Sequence, residues 1–257
     1  MDKAVGIIPA RWASTRFPGK PLQEIAGTPL LRRVWERALK ANELALVVIA
    51  TDDMRVAEAA FSWGAEVAIT SPKHRSGTDR LAEVAAMAKA FALVINIQGD
   101  EPLTDPRLID RMVRALRKDR QLEMITAAHP FSRDDDASSP HQVKVVLDAK
   151  SDALYFSRSL IPFPRDAAAN VQPLRHEGIY GYRRDLLLRF VRWKPSPLER
   201  AESLEQLRAL ENGVRIRVIV TASGSPGVDV PEDVRTIERL LVRGRLKASP
   251  RRKSSSK

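Results

Sequence analysis

The sequence predicts an α/β fold in which a mostly parallel sheet is covered by helices on both faces. Two observations carry this prediction. Over residues 4–97, short apolar runs typical of buried strands alternate with longer amphipathic segments typical of helices. The segments that follow the strands are rich in charged and small residues, as expected at the carboxyl edge of a parallel sheet, where ligands bind.

The regular part of the chain is its first half. We predict buried strands in the apolar runs at residues 4–8, 46–50, 66–69 and 94–97. The first intervening helix, to residue 39, begins with Thr28 as N-cap before Pro29, and the second, 54–63, ends at Gly64. The third runs from a capping box at Ser76 and Asp79 to about residue 91.

The second half is less regular and predicts a smaller extension of the same sheet. A helix over residues 105–117 precedes strand candidates separated by Ser-, Asp- and Pro-rich loops, at residues 124–128, 143–147, 153–156 and 178–183. A helix at 198–211, a strand at 215–220 and a last helix from Pro231 to about residue 242 follow. We therefore predict one domain over residues 1–242.

Composition excludes several classes of protein. With 44% hydrophobic and 29% charged residues the chain is typical of a soluble globular protein, and no apolar run approaches the roughly 20 residues that span a bilayer. The N-terminus shows no signal-peptide pattern, so we expect a cytoplasmic protein. The absence of cysteine excludes disulfides and thiolate zinc sites, so any metal should be bound by oxygen.

The net charge of +11 is concentrated at one end. Residues 243–257 carry seven cations and no acid, which leaves +4 for the rest of the chain, and we predict that this segment is a disordered basic tail. One alternative function follows from it, a nucleic-acid-binding protein. Salt-dependent RNA binding lost on deletion of the tail would favour that alternative.

The loop after the first strand combines three cations with small residues, a pattern suited to polyphosphate. Arg11, Arg16 and Lys20 can converge on one anion, because Ala10 and Ser14 are among the small residues that let backbone N–H groups approach the same oxygens. The spelling matches neither a P-loop nor the three-glycine dinucleotide fingerprint. A solvated basic surface loop is the alternative.

Two acids lie in loops that should reach the same crevice. Asp100 follows the fourth strand, and Asp229 precedes the last helix. A carboxylate beside polyphosphate repels it unless a divalent cation lies between them, and Mg²⁺ is normally held by one or two carboxylates together with phosphate oxygens. Each acid could instead serve as a helix cap.

Seven motifs in order over about residues 4–240 resemble the 3-deoxy-manno-octulosonate (Kdo) cytidylyltransferases. They are IPAR with STR (8–16), PGKP (18–21), SGTDR (76–80), NIQGDEP (96–102), HEGIY (176–180), LEQLR (204–208) and GVDVPED (227–233). The resemblance implies a Rossmann-like nucleotidyltransferase domain that joins CTP and Kdo into CMP-Kdo and pyrophosphate for lipopolysaccharide synthesis. It also implies a homodimer, a nucleotide-binding half at about 1–120, and an acid-sugar and dimer half at about 121–242.

The same resemblance implies roles for individual residues. Lys20, Arg11 and Asp100 would act in catalysis, Asp100 and Asp229 would bind Mg²⁺, and no side-chain general base is identified. The nucleotide would be bound by Ala10, Arg11, Ser14, Arg16, Lys20, Ser76, Gly77 and Arg80. The sugar would be bound by Gln98, Arg158, His176, Tyr180 and Glu205, with the Arg158 fork suited to its carboxylate.

Related enzymes are alternatives. A sugar-1-phosphate nucleotidyltransferase would have a more glycine-rich first loop, and the 98–102 and 176–180 segments favour Kdo over a sialic acid. Val230 stands where the family commonly has threonine, and the spelling of residues 224–227 also departs from its pattern. These departures leave the preferred sugar open, including 8-amino-Kdo.

Overall fold

The computed structural model describes residues 2–13, 17–132, 135–166 and 171–248, with side chains described up to residue 242. Its first half contains β1 (Ala4–Ala10), a 3₁₀ turn (Lys20–Leu22), the hairpin β2 (Glu24–Ile25) and β3 (Thr28–Pro29), α1 (Leu30–Ala38), β4 (Leu44–Thr51), α2 (Met54–Ser62), β5 (Glu66–Ile69), α3 (Gly77–Met87), β6 (Leu93–Asn96) and α4 (Pro106–Lys118). The second half contains β7 (Met124–Pro130), β8 (Lys144–Leu147), β9 (Ala153–Ser157), β10 (Leu174–Arg183), α5 (Arg184–Phe190), α6 (Pro197–Glu202), α7 (Gln206–Glu211), β11 (Ile216–Val220) and α8 (Pro231–Ala248).

The predicted α/β architecture is confirmed. Nine strands of the described part of the chain form one sheet in the order β11-β7-β10-β6-β1-β4-β5, and β8 and β9 extend it from β10. The strands predicted to be parallel, β6, β1, β4 and β5, lie side by side and are parallel. Their carboxyl ends therefore open toward one edge, where the loops after β1, β4, β5 and β6 must meet.

Strand β10 makes the sheet mixed. It runs antiparallel between β6 and β7, with Tyr180 opposite both Asn96 and Thr126. Its amino-terminal end also pairs with β8, which attaches the smaller antiparallel extension of β8 and β9. A strand distant in sequence thus brings residues 174–180 beside the end of β6, where Asp100 follows.

Hydrophobic side chains form a core on each face of the sheet. One includes Ile8, Val34, Ile49 and Val113, and the other includes Ile7, Leu81, Val94 and Phe156. A third, smaller cluster joins distant segments of the chain: Phe17, Ile25, Leu30, Val228 and Ile237. This cluster packs the end of the first loop against the segment before Asp229, and burial of such side chains stabilises the arrangement by about 1.5–3 kcal/mol each.

Several element boundaries differ from the sequence prediction: α3 ends at Met87 and β10 begins at Leu174, α5 was not predicted, and three further differences have a clear local cause. Thr28 and Pro29 form β3, because Ala26 and Gly27 adopt positive φ and close a hairpin; α1 therefore begins at Leu30 without a side-chain cap. The predicted helix 198–211 is two short helices, separated where Ser203 adopts φ +51°. Helix α8 continues to Ala248, six residues into the segment predicted to be disordered.

The capping box at Ser76 and Asp79 is formed as predicted. The Ser76 hydroxyl accepts from the Asp79 N–H, and the Asp79 carboxylate accepts from the Ser76 N–H, both at 3.1 Å. Within the described residues, no helix has the length and apolar character needed to cross a membrane.

Candidate active site

The first loop is closed at its neck by Trp12 and Gly19. The Gly19 N–H donates to the Trp12 carbonyl at 3.1 Å, and Gly19 adopts φ +73° with its α-carbon against the Trp12 ring, where a Cβ would lie 3.2 Å from the ring edge. Arg55 stacks on the other side of that ring, 3.7 Å from its centroid. The loop thus leaves β1 and returns to deliver Lys20 to the same edge of the sheet. Ser14 and Arg16, two predicted anion contacts, lie outside the described residues.

A cleft of about 420 Å³ opens between three loops at this edge. It is lined by Pro9, Ala10, Arg11, Ala13, Lys20, Pro21, Arg75, Ser76, Gly77, Gln98, Gly99 and Asp100. Arg11 holds the 74–76 loop in place, because its guanidinium donates to the His74 carbonyl at 3.0 Å and to the Arg75 carbonyl at 3.4 Å. The structure therefore brings together Ala10, Arg11, Lys20, Ser76, Gly77 and Asp100, as the sequence predicts.

Lys20 links the first loop to both acidic loops. Its ammonium lies 2.7 Å from Asp100 Oδ2 and donates to the Val228 carbonyl at 3.0 Å. The Val228 N–H in turn donates to the Asp100 carbonyl at 2.9 Å. Asp229 is the next residue, and its N–H is held by the Asp233 carboxylate at 2.8 Å. The Lys20 ammonium therefore supplies a positive charge where the two acidic loops meet.

The residues at this junction fit a divalent cation. Asp100 and the Val228 carbonyl are hard oxygen donors that already hold a positive charge, and Asp229 adjoins them. Negative charge accumulates here: burial, together with the charges of Glu177 and Asp100, raises the pKa of Glu101 well above its usual value. The described residues contain no cluster of three or more metal-ligating side chains, so phosphate and water would complete a Mg²⁺ shell.

A second cavity, of about 250 Å³, adjoins the cleft and shares Gln98 with it. Its lining is mostly polar or aromatic and includes Thr78, Asn96, His176, Tyr180, Tyr182, Glu205 and Gln206. The Gln98 side-chain amide donates to the Gly178 carbonyl at 2.6 Å, which leaves its oxygen for another partner. The buried Asn96 Oδ1 also has no hydrogen-bond partner within the described residues. Both are acceptors suited to hydroxyl groups.

Burial disfavours the charged forms of the titratable groups in this cavity. Burial lowers the pKa of His176 to about 3, so its ring is neutral at pH 7, and its Nε2 lies 2.8 Å from the Tyr180 hydroxyl. Burial likewise raises the pKa of Tyr180 well above its usual value. Burial also raises the pKa of Glu205, although the Thr78 hydroxyl and Arg208 favour its charged form. His176 and Tyr180 can therefore offer this cavity a donor and an acceptor without charge.

Comparison with known proteins decides the family. A cytidylyltransferase family model matches residues 5–216. The 3-deoxy-manno-octulosonate cytidylyltransferases of Geobacter metallireducens and Pseudomonas syringae pv. tomato are 49% and 50% identical to this chain over 249 and 248 residues, covering 93% and 91% of it and 98% and 96% of their own lengths. The chain belongs to the 3-deoxy-manno-octulosonate cytidylyltransferase family. It is therefore an enzyme of the nucleotidyltransferase class.

Solved structures agree with this assignment. A CMP:2-keto-3-deoxy-manno-octonic acid synthetase solved in complex with CTP has a TM-score of 0.90 and 44% sequence identity, over 95% of this chain and 100% of its own. A 4-diphosphocytidyl-2C-methyl-D-erythritol synthase from Anaerococcus prevotii shares the fold at 14% identity, with a TM-score of 0.62 over 94% of this chain and 99% of its own. The sequence-based family resemblance is confirmed.

Two residues predicted by resemblance to this cytidylyltransferase family lie apart from the cavities. Arg80 is fully buried on α3, where it pairs with Asp52 at 3.0 Å and bonds to the Thr70 hydroxyl, so it supports the fold and does not line the nucleotide cleft. Arg158 donates to the carbonyls of Glu202, Pro140 and Ser203 at 2.7–3.3 Å, so backbone oxygens occupy three of its donors. It lies outside the lining of the second cavity.

Sequence reasoning missed several residues that the structure brings into this cytidylyltransferase site. Arg75 lines the nucleotide cleft, and the second cavity also includes Thr78, Asn96, Tyr182 and Gln206. The signal for four of them was present, because Thr78, Asn96 and Gln206 belong to the SGTDR, NIQGDEP and LEQLR motifs and Tyr182 lies two residues after Tyr180 on one strand face. Arg75 had none beyond its place in a loop that follows a strand.

Proposed function

We propose that this chain transfers the cytidylyl group of CTP to the anomeric hydroxyl of Kdo, which yields CMP-Kdo and pyrophosphate for lipopolysaccharide synthesis. The observation that carries the proposal is that the cationic cleft and the polyol-sized cavity share one wall, Gln98, beside Lys20 and Asp100. Two substrates bound there would meet at the junction. The reacting groups would gain rate from proximity and orientation, without a covalent enzyme intermediate.

The nucleotide would bind in the cleft that holds Arg11 and Lys20. Arg11 and Lys20 would neutralise triphosphate oxygens, together with backbone N–H groups of the first loop, and Ser14 and Arg16 remain predicted contacts. Ser76 and Gly77 line the far side of the cleft and would adjoin the ribose and base. Lys20 would stabilise the negative charge that develops on the transferred phosphate, the largest single contribution expected in such reactions.

Asp100 and Asp229 would hold Mg²⁺ at the Lys20 junction. The bound ion would neutralise phosphate charge and lower the pKa of the attacking hydroxyl. Lys20 keeps Asp100 and the 228–229 segment together, because its ammonium lies 2.7 Å from Asp100 Oδ2 and 3.0 Å from the Val228 carbonyl oxygen. The anomeric hydroxyl attacks the α-phosphorus as pyrophosphate departs on the opposite side.

The sugar would bind in the second cavity through neutral donors and acceptors. Asn96 Oδ1, the Gln98 amide oxygen and the His176–Tyr180 pair would contact its hydroxyls, and Glu205 would accept from another. Arg158 remains a candidate partner of the sugar carboxylate, which would require its guanidinium to exchange a backbone carbonyl for the carboxylate. We propose a cytoplasmic location, where CTP is available.

Substrate choice is tested by incubating the purified protein with CTP, Mg²⁺ and one acid sugar at a time, while pyrophosphate release is followed. We expect Kdo to be the preferred acceptor over 8-amino-Kdo and sialic acid, and no pyrophosphate without a sugar. A higher kcat/KM for either competitor would replace Kdo as the substrate. Absence of turnover with every acid sugar would contradict the proposed function.

We also propose a homodimer formed through the second half of the chain. The described part of that half exposes large apolar side chains, with Leu154 62% exposed on β9, Phe163 82% exposed and Val171 60% exposed. Exposed apolar surface of this kind marks interaction sites when it is contiguous. The family resemblance stated above supports the same assembly.

A further inference from the structure

The segment that carries Asp229 crosses the end of the sheet between three attachment points. At its start, the Thr221 N–H donates to the Ala128 carbonyl at 2.8 Å. At its end, the Val228 N–H donates to the Asp100 carbonyl at 2.9 Å. Between them, the Ser225 N–H approaches Glu177 Oε2 at 3.4 Å. The middle contact is the one that no part of the proposed reaction explains.

Glu177 can make this contact because successive side chains of β10 point to opposite faces of the sheet. His176 lines the sugar cavity, and Glu177, the next residue, points to the opposite face of the sheet. Its side chain is 9% exposed, and its second oxygen, Oε1, contacts Nδ1 of His129, whose side chain is 10% exposed. One strand therefore supports the sugar cavity with one residue and the Asp229 segment with the next.

Gly224 shows how closely the segment approaches this pair. A Cβ on Gly224 would lie 2.1 Å from Glu177 Oε1 and 2.3 Å from the His129 ring. Only glycine permits the observed separation, because neither partner is a loose side-chain end: both are buried. The backbone of residues 224–225 rests directly on the Glu177–His129 pair.

A cavity beside residues 221–228 makes the contact between Glu177 and the Ser225 N–H important for the position of this segment. This cavity has a volume of about 560 Å³, and its lining includes Glu177, Gly224 and Ser225 together with Arg107 and Arg111. The segment therefore lacks close apolar packing on that side. Polar contact with Glu177 and His129 takes the place of packing between the attachments at residues 221 and 228.

We propose that Glu177 and His129 form a positioning pair. The pair holds residues 221–229 where Asp229 can join Asp100 in binding the divalent cation, and this rests on the proposed metal role of Asp229. A carboxylate suits the task because one of its oxygens accepts from the Ser225 N–H while the other contacts His129 Nδ1. A glutamine keeps the shape of the side chain but removes its negative charge and replaces one of the two oxygens by an NH₂ donor, so it weakens the hydrogen bond from Ser225 and alters the contact with His129.

The test is Glu177→Gln, measured first without metal. Hydrogen exchange of peptides covering residues 221–229 in the metal-free protein should quicken by about tenfold, because the hydrogen bond from the Ser225 N–H to a charged group is replaced by a weaker one to a neutral amide. The Mg²⁺ concentration for half-maximal pyrophosphate release should rise by about tenfold, as for other partners that orient metal ligands, while KM for Kdo stays within about twofold. Gly224→Ala, which keeps both side chains but displaces the backbone, should produce the same two changes.

Asp110→Asn is the matched control, because Asp110 is a buried carboxylate on α4 that accepts from the Glu43 N–H, away from both cavities. It should leave both readouts at wild-type values. Unchanged exchange and an unchanged Mg²⁺ requirement in Glu177→Gln and Gly224→Ala would overturn the proposal. Exchange in metal-free protein decides the contact even if Asp229→Asn proves that Asp229 binds no metal, so the two failures are distinguishable.

Discussion

The Lys20 ammonium is the charge on which the two acidic loops converge. Its contacts with Asp100 Oδ2 and the Val228 carbonyl join residues that are 80 and 208 positions away in the chain. In a partly buried site such a pair is weakly screened, because the Lys20 and Asp100 side chains are 17% and 30% exposed. This single residue therefore ties the phosphate loop to the proposed cation site.

Replacement of Asp229 by Asn should separate catalysis from folding. The amide keeps the shape of the side chain but loses the negative charge that a divalent cation requires, so we expect Mg²⁺-dependent pyrophosphate release to fall by about 100-fold or more, with the thermal unfolding midpoint nearly unchanged. Asp100→Asn should behave likewise. The control is Asp185→Asn, whose side chain is 85% exposed on α5. Turnover at the wild-type rate in either active-site variant would refute the metal assignment.

The lowered pKa of His176, which lines the second cavity, should make stability depend on pH. Its pKa is lowered to about 3 in the folded protein and returns to its ordinary value of 6.5 on unfolding, so the unfolded chain binds the extra proton between these values. The contribution of neutral His176 to the free energy of unfolding is complete above pH 6.5. It is lost as the pH falls toward 3, by about 1.4 kcal/mol per pH unit. Urea unfolding of His176→Gln should therefore show a shallower loss than wild type. Exposed His141→Gln should keep the wild-type profile.

Loops that follow parallel strands create the cleft because the strand ends are in contact. The 98–101 loop lies so close to the end of β1 that a Cβ on Gly99 would be 2.7 Å from the Pro9 carbonyl. The capping box at Ser76 similarly fixes the start of α3 beside Pro9. At this scale the helices and strands act by setting the distances between loops.

Gly99→Ala should disturb this contact between elements. The added methyl meets a backbone carbonyl that cannot move without shifting β1, so we expect a loss of about 1–3 kcal/mol in the free energy of unfolding. Gly77→Ala is the matched control, because a Cβ on Gly77 would lie 3.7 Å from the Pro9 ring, an ordinary van der Waals contact. We expect this variant to lose little free energy of unfolding. Equal stability of the two variants by urea unfolding would contradict the account.

At the scale of the whole molecule, the exposed apolar residues of the second half predict association. We expect size-exclusion chromatography with light scattering to give twice the chain mass, and the double variant Leu154→Glu, Phe163→Glu to give one chain mass, because buried charge opposes association. Phe61, 55% exposed on α2, provides the control Phe61→Glu, which should remain a dimer. A wild-type protein that is active and elutes as a monomer would exclude the proposed assembly.

Local patterns predicted much of this protein because they act over a few residues. Continuous apolar runs identified β1, β4, β5 and β6, and the capping box identified α3. The errors fall where longer-range geometry competes with a local signal. Thr28 and Pro29 spell a helix start but pair in a hairpin, and the leucine-rich 198–211 segment breaks at Ser203. Motif spelling placed Arg80 at the nucleotide, although burial gives it Asp52 as partner.

The sequence by itself determined the α/β class, the order of the chemical loops and the family, because periodicity and motifs are local properties of the chain. Only the tertiary structure decided that β10 inserts between β6 and β7, that Gln98 divides two cavities, and that Glu177 lies under Gly224. The contacts Gly224–Glu177, Tyr180–Thr126, Gln98–Gly178 and Tyr180–Asn96 join residues 47, 54, 80 and 84 positions apart. Pairing partners and burial at such separations depend on how the whole chain packs, and no local pattern encodes them.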